Sequence, residues 1–425
     1  MSKKKLVIFP LVFALLTGCG ASAPVDDGGA SATAEASVET TQDTNSADAS
    51  ENAATTDATQ EESADAASTE VSDSASVTPS EGKYDMRDIT PKDLVAEMTT
   101  GWNLGNTFDS WGGSGLSDET YWGNPKTTKE MIDAVHDKGF NSIRIPVTWY
   151  DHMGAAPEYT VDEAWMDRVE EVVNYALDDG MYVIINSHHE EEWRIPDNAH
   201  IDAVDEQVKV LWVQIAERFE KYGDHLIFEG LNEPRVKGGQ DEWNGGTQEV
   251  RDCVNRLNQT FIDAVRSTGG NNEKRLVLIT TVADSPVKPA INGLTIPDDE
   301  HMAVTIHAYT PYDFTFKSDN SYDKWDGSHK ADIDYMFADL RNKFISKGIP
   351  VLMTEYGAVN KDGNEDEVCK WVTYYLTKAK ELGIPCFWWD NGQFNAGNEF
   401  FGIFNRNKLS WEREKVADAI VEVYK

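Results

Sequence analysis

The chain has 425 residues, enough for two or three average domains or for one large barrel with an appended tail. Its 74 acidic residues against 38 basic ones leave a formal charge of −36. That excludes nucleic-acid binding by phosphate neutralisation and suits a neutral or basic partner, or solubility outside a cell.

The N-terminal segment reads as a targeting signal followed by a spacer. MSKKK is a basic n-region, and Leu6 to Leu16 is an apolar stretch too short to span a bilayer as a stable helix. Leu16-Thr17-Gly18-Cys19 then resembles a bacterial lipobox, so residues 1–18 are expected to be cut away and Cys19 acylated as a membrane anchor. An ordinary secretory signal with an incidental cysteine is the competing reading. From 19 to 83 the composition turns to Ala, Ser, Thr, Asp and Glu. Residues 20–82 hold no aromatic, lysine or arginine, and their 14 acidic side chains cannot offset the entropy of ordering them. A disordered, self-repelling linker is expected there, or a glycosylated stalk. The charge splits into +3 through Cys19, −14 in the spacer and −25 in the remainder. Beyond Cys19 the cysteines are Cys253, Cys369 and Cys386, which make no disulfide framework.

Residues 84–425 alternate apolar strand-like runs with helical patterns. The runs are 101–109, 141–149, 181–190, 226–234, 275–282, 302–310, 350–359 and 385–392. Between them, Lys129–Lys138, Met166–Asp178, Glu206–Lys221, Gln248–Ser267, Asp332–Ser346 and Glu365–Glu381 show periodic apolar faces. KGFNSIRIP, DGMYVIIN and KGIPVLM each place a glycine at a helix end just before a strand. Eight strands alternating with helices fit a single (β/α)8 TIM barrel. An open doubly wound sheet fits less well, because no glycine-rich phosphate loop follows the first strand.

In such a barrel the carboxyl ends of the strands gather the chemistry. Run two carries Arg144, run three ends in His188, His189 and Glu190, and run four in Asn232 and Glu233. Run six ends in His307 and Tyr309, run seven in Glu355 and Tyr356, and run eight in Trp388 and Trp389. Pro234 cannot continue a ladder, so Glu233 is expected to stand at the rim, whereas Glu229, four residues deeper, reads as a structural acid. Two glutamates ending two strands suggest an acid/base and nucleophile pair, with Arg144 neutralising a carboxylate. The histidines could instead ligate a metal, but the H-x-H pattern on the first strand of metal-dependent hydrolase barrels is missing, and no metal or other cofactor is expected. The chain has 13 tryptophans, and Trp111, Trp122, Trp149 and Trp193 fall in or beside rim loops, where indoles suit sugar faces; about two of these four are expected to be core packing instead.

Taken together, NEP after strand four, RIP, NSHH, HAY, TEYG and the tryptophan pair resemble glycoside hydrolase family 5. GWNLGNTFD and FWWDNG are similar to its bacterial endo-β-1,4-glucanase subfamily 4. The resemblance implies a retaining endoglucanase with Glu233 as acid/base and Glu355 as nucleophile. It implies that Arg144 and Tyr309 hold Glu355, that Asn232 binds the sugar 2-hydroxyl, and that His307 sits against Glu233. His188, His189 and Trp389 would line the subsite at the scissile bond. Beside that resemblance, Asn106, Trp122 and Trp193 are expected as further substrate contacts from their place near the rim. The expected partner is a β-1,4-linked polysaccharide, met by a monomer held on the outer face of a bacterial cell. The same motifs leave xyloglucan, mixed-linkage glucan, mannan and xylan open as substrates. A silent glycan-binding lipoprotein would have lost one carboxylate, and both are present.

Overall fold

The computed structural model describes residues 83–317, 322–361, 363–395 and 399–425. The signal, Cys19 and the linker through 82 lie outside the described residues. Eight parallel strands close into a barrel in sequence order. They are β1 (Thr100–Leu104), β2 (Ser142–Ile145), β3 (Tyr182–Asn186), β4 (Leu226–Glu229), β5 (Val277–Thr280), β6 (Met302–His307), β7 (Val351–Tyr356) and β8 (Cys386–Asp390). Each ladder is shorter than its apolar run, and the last residues of every run lie past the strand's end at the rim.

Helix α1 (Pro91–Glu97) precedes the barrel. Thr90 caps it by accepting from the Asp93 N–H, and proline occupies its first turn, where a missing N–H costs nothing. The others follow the strands: α2 (Lys129–Lys138), α3 (Glu163–Asp178), α4 (Ile201–Arg218), α5 (Gln248–Ser267), α6 (Lys288–Gly293), α7 (Tyr312–Thr315), α8 (Lys330–Lys343), α9 (Glu365–Glu381) and α10 (Glu414–Glu422). α2, α5 and α9 span the expected residues. α3 and α4 start earlier than their apolar periodicity. The three hinge glycines, Gly139, Gly180 and Gly348, are all left-handed. α1, α6, α7 and α10 are additions to the reading from periodicity, as is the hairpin of β9 (Phe404–Asn405) and β10 (Ser410–Trp411). α10 does carry an apolar stripe at Val416, Ala417, Ile420 and Val421.

Two separate apolar layers hold the barrel. The outer one lies between sheet and helices and takes Ile143, Ile145, Phe228, Val304, Ile306, Met353 and Trp388. The inner one joins Leu94, Val95 and Met98 of α1 to Ile184, Ile227, Leu278, Ala303, Leu352 and Phe387, so α1 plugs the amino-terminal end of the barrel. Alternation along each strand therefore sends Glu229, Trp389 and Arg144 inward beside these residues.

Candidate active site

Register brings the inward polar groups together. On β6 and β7 the pairing runs Val304 to Val351 and Ile306 to Met353, then slips by one so that His307 opposes Glu355. The extra residue lets Thr354 and Glu355 both serve the interior while Tyr356 turns outward, which is how a bulge re-aims a side chain. The expectation that Tyr356 and Trp388 share the pocket is corrected: both are fully buried in the outer layer, with their rings 5.5 Å apart edge to face. Pleat parity excludes them, since their neighbours Glu355 and Trp389 take the inward direction.

Arg144 is the hub. Its guanidinium donates to Glu229 twice, at 2.6 and 2.8 Å, to Glu355 Oε1 at 2.7 Å, to Asn232 Oδ1 at 2.8 Å and to Asn103 Oδ1 at 3.0 Å. Burial alone would weaken this cation, but the carboxylates of Glu229 and Glu355 outweigh it and raise its pKa. Glu229 is thus a fixed anchor for Arg144, completely buried. The Tyr309 hydroxyl donates to the second oxygen of Glu355 at 3.0 Å.

Glu233 lies four residues past the last residue of β4 with φ +43°, a left-handed conformation that a non-glycine residue holds only when its surroundings enforce it. Arg194 donates to the Asn232 carbonyl at 2.6 Å, and the Glu233 N–H donates to Asp284 Oδ2 at 2.6 Å. The Glu233 carboxylate faces His307 Nδ1 at 3.0 Å and Arg235 at 3.5 Å. Burial opposes its ionisation, but His307 and Arg235 prevail and lower its pKa. Burial would also discharge His307, yet the carboxylates of Glu355 and Asp284 and the bond to Glu233 push it up to about 9. Asp284 is pushed up to about 7 by burial and the nearby Glu229, against the pull of His307.

The other expected residues divide. Burial, then the charges of His189 and Arg144, hold His188 well below its ordinary pKa, leaving a neutral ring parallel to Trp389 with centroids 5.8 Å apart. Asn186 fixes that ring through Nδ1 at 3.1 Å. His189 lies 5.5 Å from the ring of Trp122, which in turn lies 6.5 Å from the exposed Trp111, so this pair forms an open aromatic edge. Trp149 is fully buried. Trp193 is half-buried against the core with its indole N–H on Glu190 at 2.6 Å. Glu190 is a support for the Trp149 backbone and Trp193, with burial pushing its pKa up to about 7. Asn106 shapes the β1 loop: it is left-handed, with its N–H held by Asp109 at 2.9 Å and its carbonyl by Asn124 at 2.9 Å. Asn103, Asp284, Arg194 and Arg235 were not singled out from the sequence. Arg235, adjacent to Pro234, carried a usable signal; Asp284 carried none.

One oxygen of Glu233, one of Glu355 and a ring nitrogen of His307 lie within 4.8 Å of one another. Those three atoms could also converge on a cation, but the Glu355 oxygen that faces His307, Oε2, already accepts from the Tyr309 hydroxyl. A parallel barrel with two rim carboxylates in unlike electrostatic settings is the arrangement that two-carboxylate glycoside hydrolysis requires. The family model for cellulases of glycosyl hydrolase family 5 matches residues 102–395. The chain belongs to that family. It is 59% identical to an endoglucanase A of Ruminococcus albus over 80% of this chain and 94% of that protein. Among solved structures it is similar to a subfamily-4 broad-specificity endoglucanase from Ruminococcus champanellensis with bound cellotriose. That match has 44% identity and TM-score 0.77, over 79% of this chain and 99% of that one. A xyloglucan-specific endo-β-1,4-glucanase from a metagenomic library, in complex with cellotriose, matches at 45% identity and TM-score 0.76, over 78% and 98%.

Proposed function

We propose that the protein is a retaining endo-β-1,4-glucanase, with Glu355 as nucleophile and Glu233 as acid/base. The observation that carries the reading is the close approach of their oxygens, within 4.8 Å, between unlike partners. Retaining enzymes keep their carboxyl groups about 5–5.5 Å apart, whereas inverting ones leave about 6.5–9.5 Å for a water. In the first step a Glu355 oxygen bonds to the anomeric carbon as the glycosidic C–O bond breaks, and the leaving oxygen takes the proton of Glu233. In the second, Glu233 removes a proton from water, whose oxygen bonds to the anomeric carbon and expels Glu355. The Glu233–His307 pair stores the first-step proton. In the open site the imidazole holds it, and sugar entry, by removing water, favours the neutral pair over the ion pair. Arg144 donates to Asn232 Oδ1, so the amide nitrogen is the end left to donate to a sugar 2-hydroxyl.

Proton NMR of the earliest products tests the mechanism: the β-anomer is expected first, and initial release of the α-anomer overturns it. Reducing-end assays on cellulose, mixed-linkage glucan, xyloglucan, mannan and xylan fix the substrate, with the glucans expected to lead. Cello-oligosaccharide in the structural relatives and the exposed Trp111–Trp122 edge support that order. The lipobox-like LTGC and the acidic segment after it further support an enzyme tethered through Cys19 to the outer face of a bacterial cell.

A further inference from the structure

Asp284 makes no contact that the two-glutamate chemistry calls for, yet it is completely buried against the acid/base loop. Ala283 and Asp284 are consecutive non-glycine residues with φ of +56° and +48°. Two left-handed residues in a row curl the end of β5 back toward the loop after β4. The curl makes two bonds there: Ala283 N–H donates to the Pro234 carbonyl at 3.0 Å, and Asp284 Oδ2 accepts from the Glu233 N–H at 2.6 Å. The Thr280 hydroxyl donates to the other oxygen of Asp284, which fixes the carboxylate. Asp284 Oδ2 also lies 4.0 Å from His307 Nε2, a buried nitrogen with no hydrogen-bond partner among the described residues. The imidazole therefore stands between Glu233 on its Nδ1 side and Asp284 on its Nε2 side.

Strain of this kind persists only where something over-determines it, and here strained segments of two strands brace one another. We propose that Asp284 is a positioning residue for the acid/base: its carboxylate holds the Glu233 backbone left-handed, and so aims the Glu233 carboxyl, while flanking the far edge of His307. The inference rests on the assignment of Glu233 above. It predicts that a defect at Asp284 looks like a defect in proton delivery, not like a general loss of structure. Asp284→Ala removes the acceptor. Asp284→Asn keeps an acceptor oxygen and a side chain that tolerates the left-handed region.

The test assays both variants and Glu233→Ala, in the full chain, on a soluble β-glucan and on a dinitrophenyl β-cellobioside whose leaving group needs little protonation. For Asp284→Ala, kcat/KM on the glucan is expected to fall about 30-fold or more with KM within about threefold, and on the aryl substrate to stay within about fivefold. Asp284→Asn is expected within about fivefold of the parent on both. Equal losses on the two substrates, no loss on the glucan, or a loss for Asn as deep as for Ala overturns the proposal. Thr280→Val frees the Asp284 carboxylate and keeps the test open if the alanine variant does not fold. It should give the same leaving-group pattern at about threefold to tenfold, and a loss of equal size on both substrates counts against the idea. If Glu233→Ala itself shows no leaving-group dependence, the acid/base assignment fails and Asp284 with it. If Glu233→Ala shows that dependence and Asp284→Ala does not, only the role of Asp284 fails.

Discussion

At the scale of single residues, the site separates two identical side chains by what faces them. Glu355 accepts from a permanent cation and a phenol, whereas Glu233 shares its proton with an imidazole. Glu355→Ala should abolish turnover of every substrate, because no leaving group compensates for a missing nucleophile. Glu233→Ala should keep glycosylation by activated aryl glycosides while losing about a hundredfold or more on polysaccharide. Stopped-flow release of the aryl alcohol distinguishes the two, and equal loss in both would undo the assignment. The same electrostatics bear on stability. His307 titrates at about 9 folded against 6.5 unfolded, so the folded state binds the extra proton between these values. Its stabilisation is full below pH 6.5 and is lost as pH rises through 9. Melting temperature should therefore fall from pH 7 to 9, with this one group contributing at most about 1.4 kcal/mol per pH unit. His307→Gln should be less stable at pH 7 but show a flatter slope; a slope unchanged in the variant would assign the effect elsewhere.

At the scale of elements, the barrel divides labour between its ends. The amino-terminal end is closed by α1 and by large inward side chains such as Phe387, whose ring fills the space over Gly101. A Cβ on that glycine would meet the ring at 2.3 Å. Phe387→Ala should cost about 3–5 kcal/mol in denaturant unfolding, since a void so enclosed has little room to collapse. Its kcat/KM at 25 °C should stay near that of the parent, because the cavity opens at the end opposite the glutamates. A large kcat loss with little change in stability would contradict this separation. At the other end, stability is given up to place function: the β6–β7 bulge turns Glu355 inward, and left-handed Glu233 breaks the line of β4. Strain at one rim is tolerable because the rest of each strand is locked on both faces.

At the scale of the molecule, the described fold begins at Lys83, and composition changes at the same point. The family match, residues 102–395, falls on the barrel. Residues 20–82 hold no aromatic, lysine or arginine side chain, and a segment of that composition is expected to contribute nothing to the core. A protein starting at Lys83 should match the mature chain in melting temperature and in turnover of soluble glucan, and Cys19→Ala should release active enzyme into the medium. A melting temperature markedly lower in the short protein would mean that the spacer packs on the barrel.

How much of this was legible beforehand follows from which interactions are local. Strand and helix periodicity, hinge glycines and the stop at Pro234 are short-range patterns, so eight strands, six helices and the barrel could be read from order alone. The motifs placed Glu233, Glu355, Arg144, His307 and Tyr309 at strand ends because the fold class sends strand ends to one rim. What only the tertiary structure decided is direction and partnership. Tyr356 and Trp388 turn outward because a one-residue register slip on β7 and the pleat of β8 choose the faces. Trp149 packs in the core although it stands beside the rim, and Arg144 serves Glu229 and Glu355 at once from three different strands. The curl at Asp284, which has no local pattern of its own, acquires meaning only where β5 meets the loop after β4. Register, parity and close approach are properties of strands far apart in sequence, and they are fixed by packing once the chain has closed.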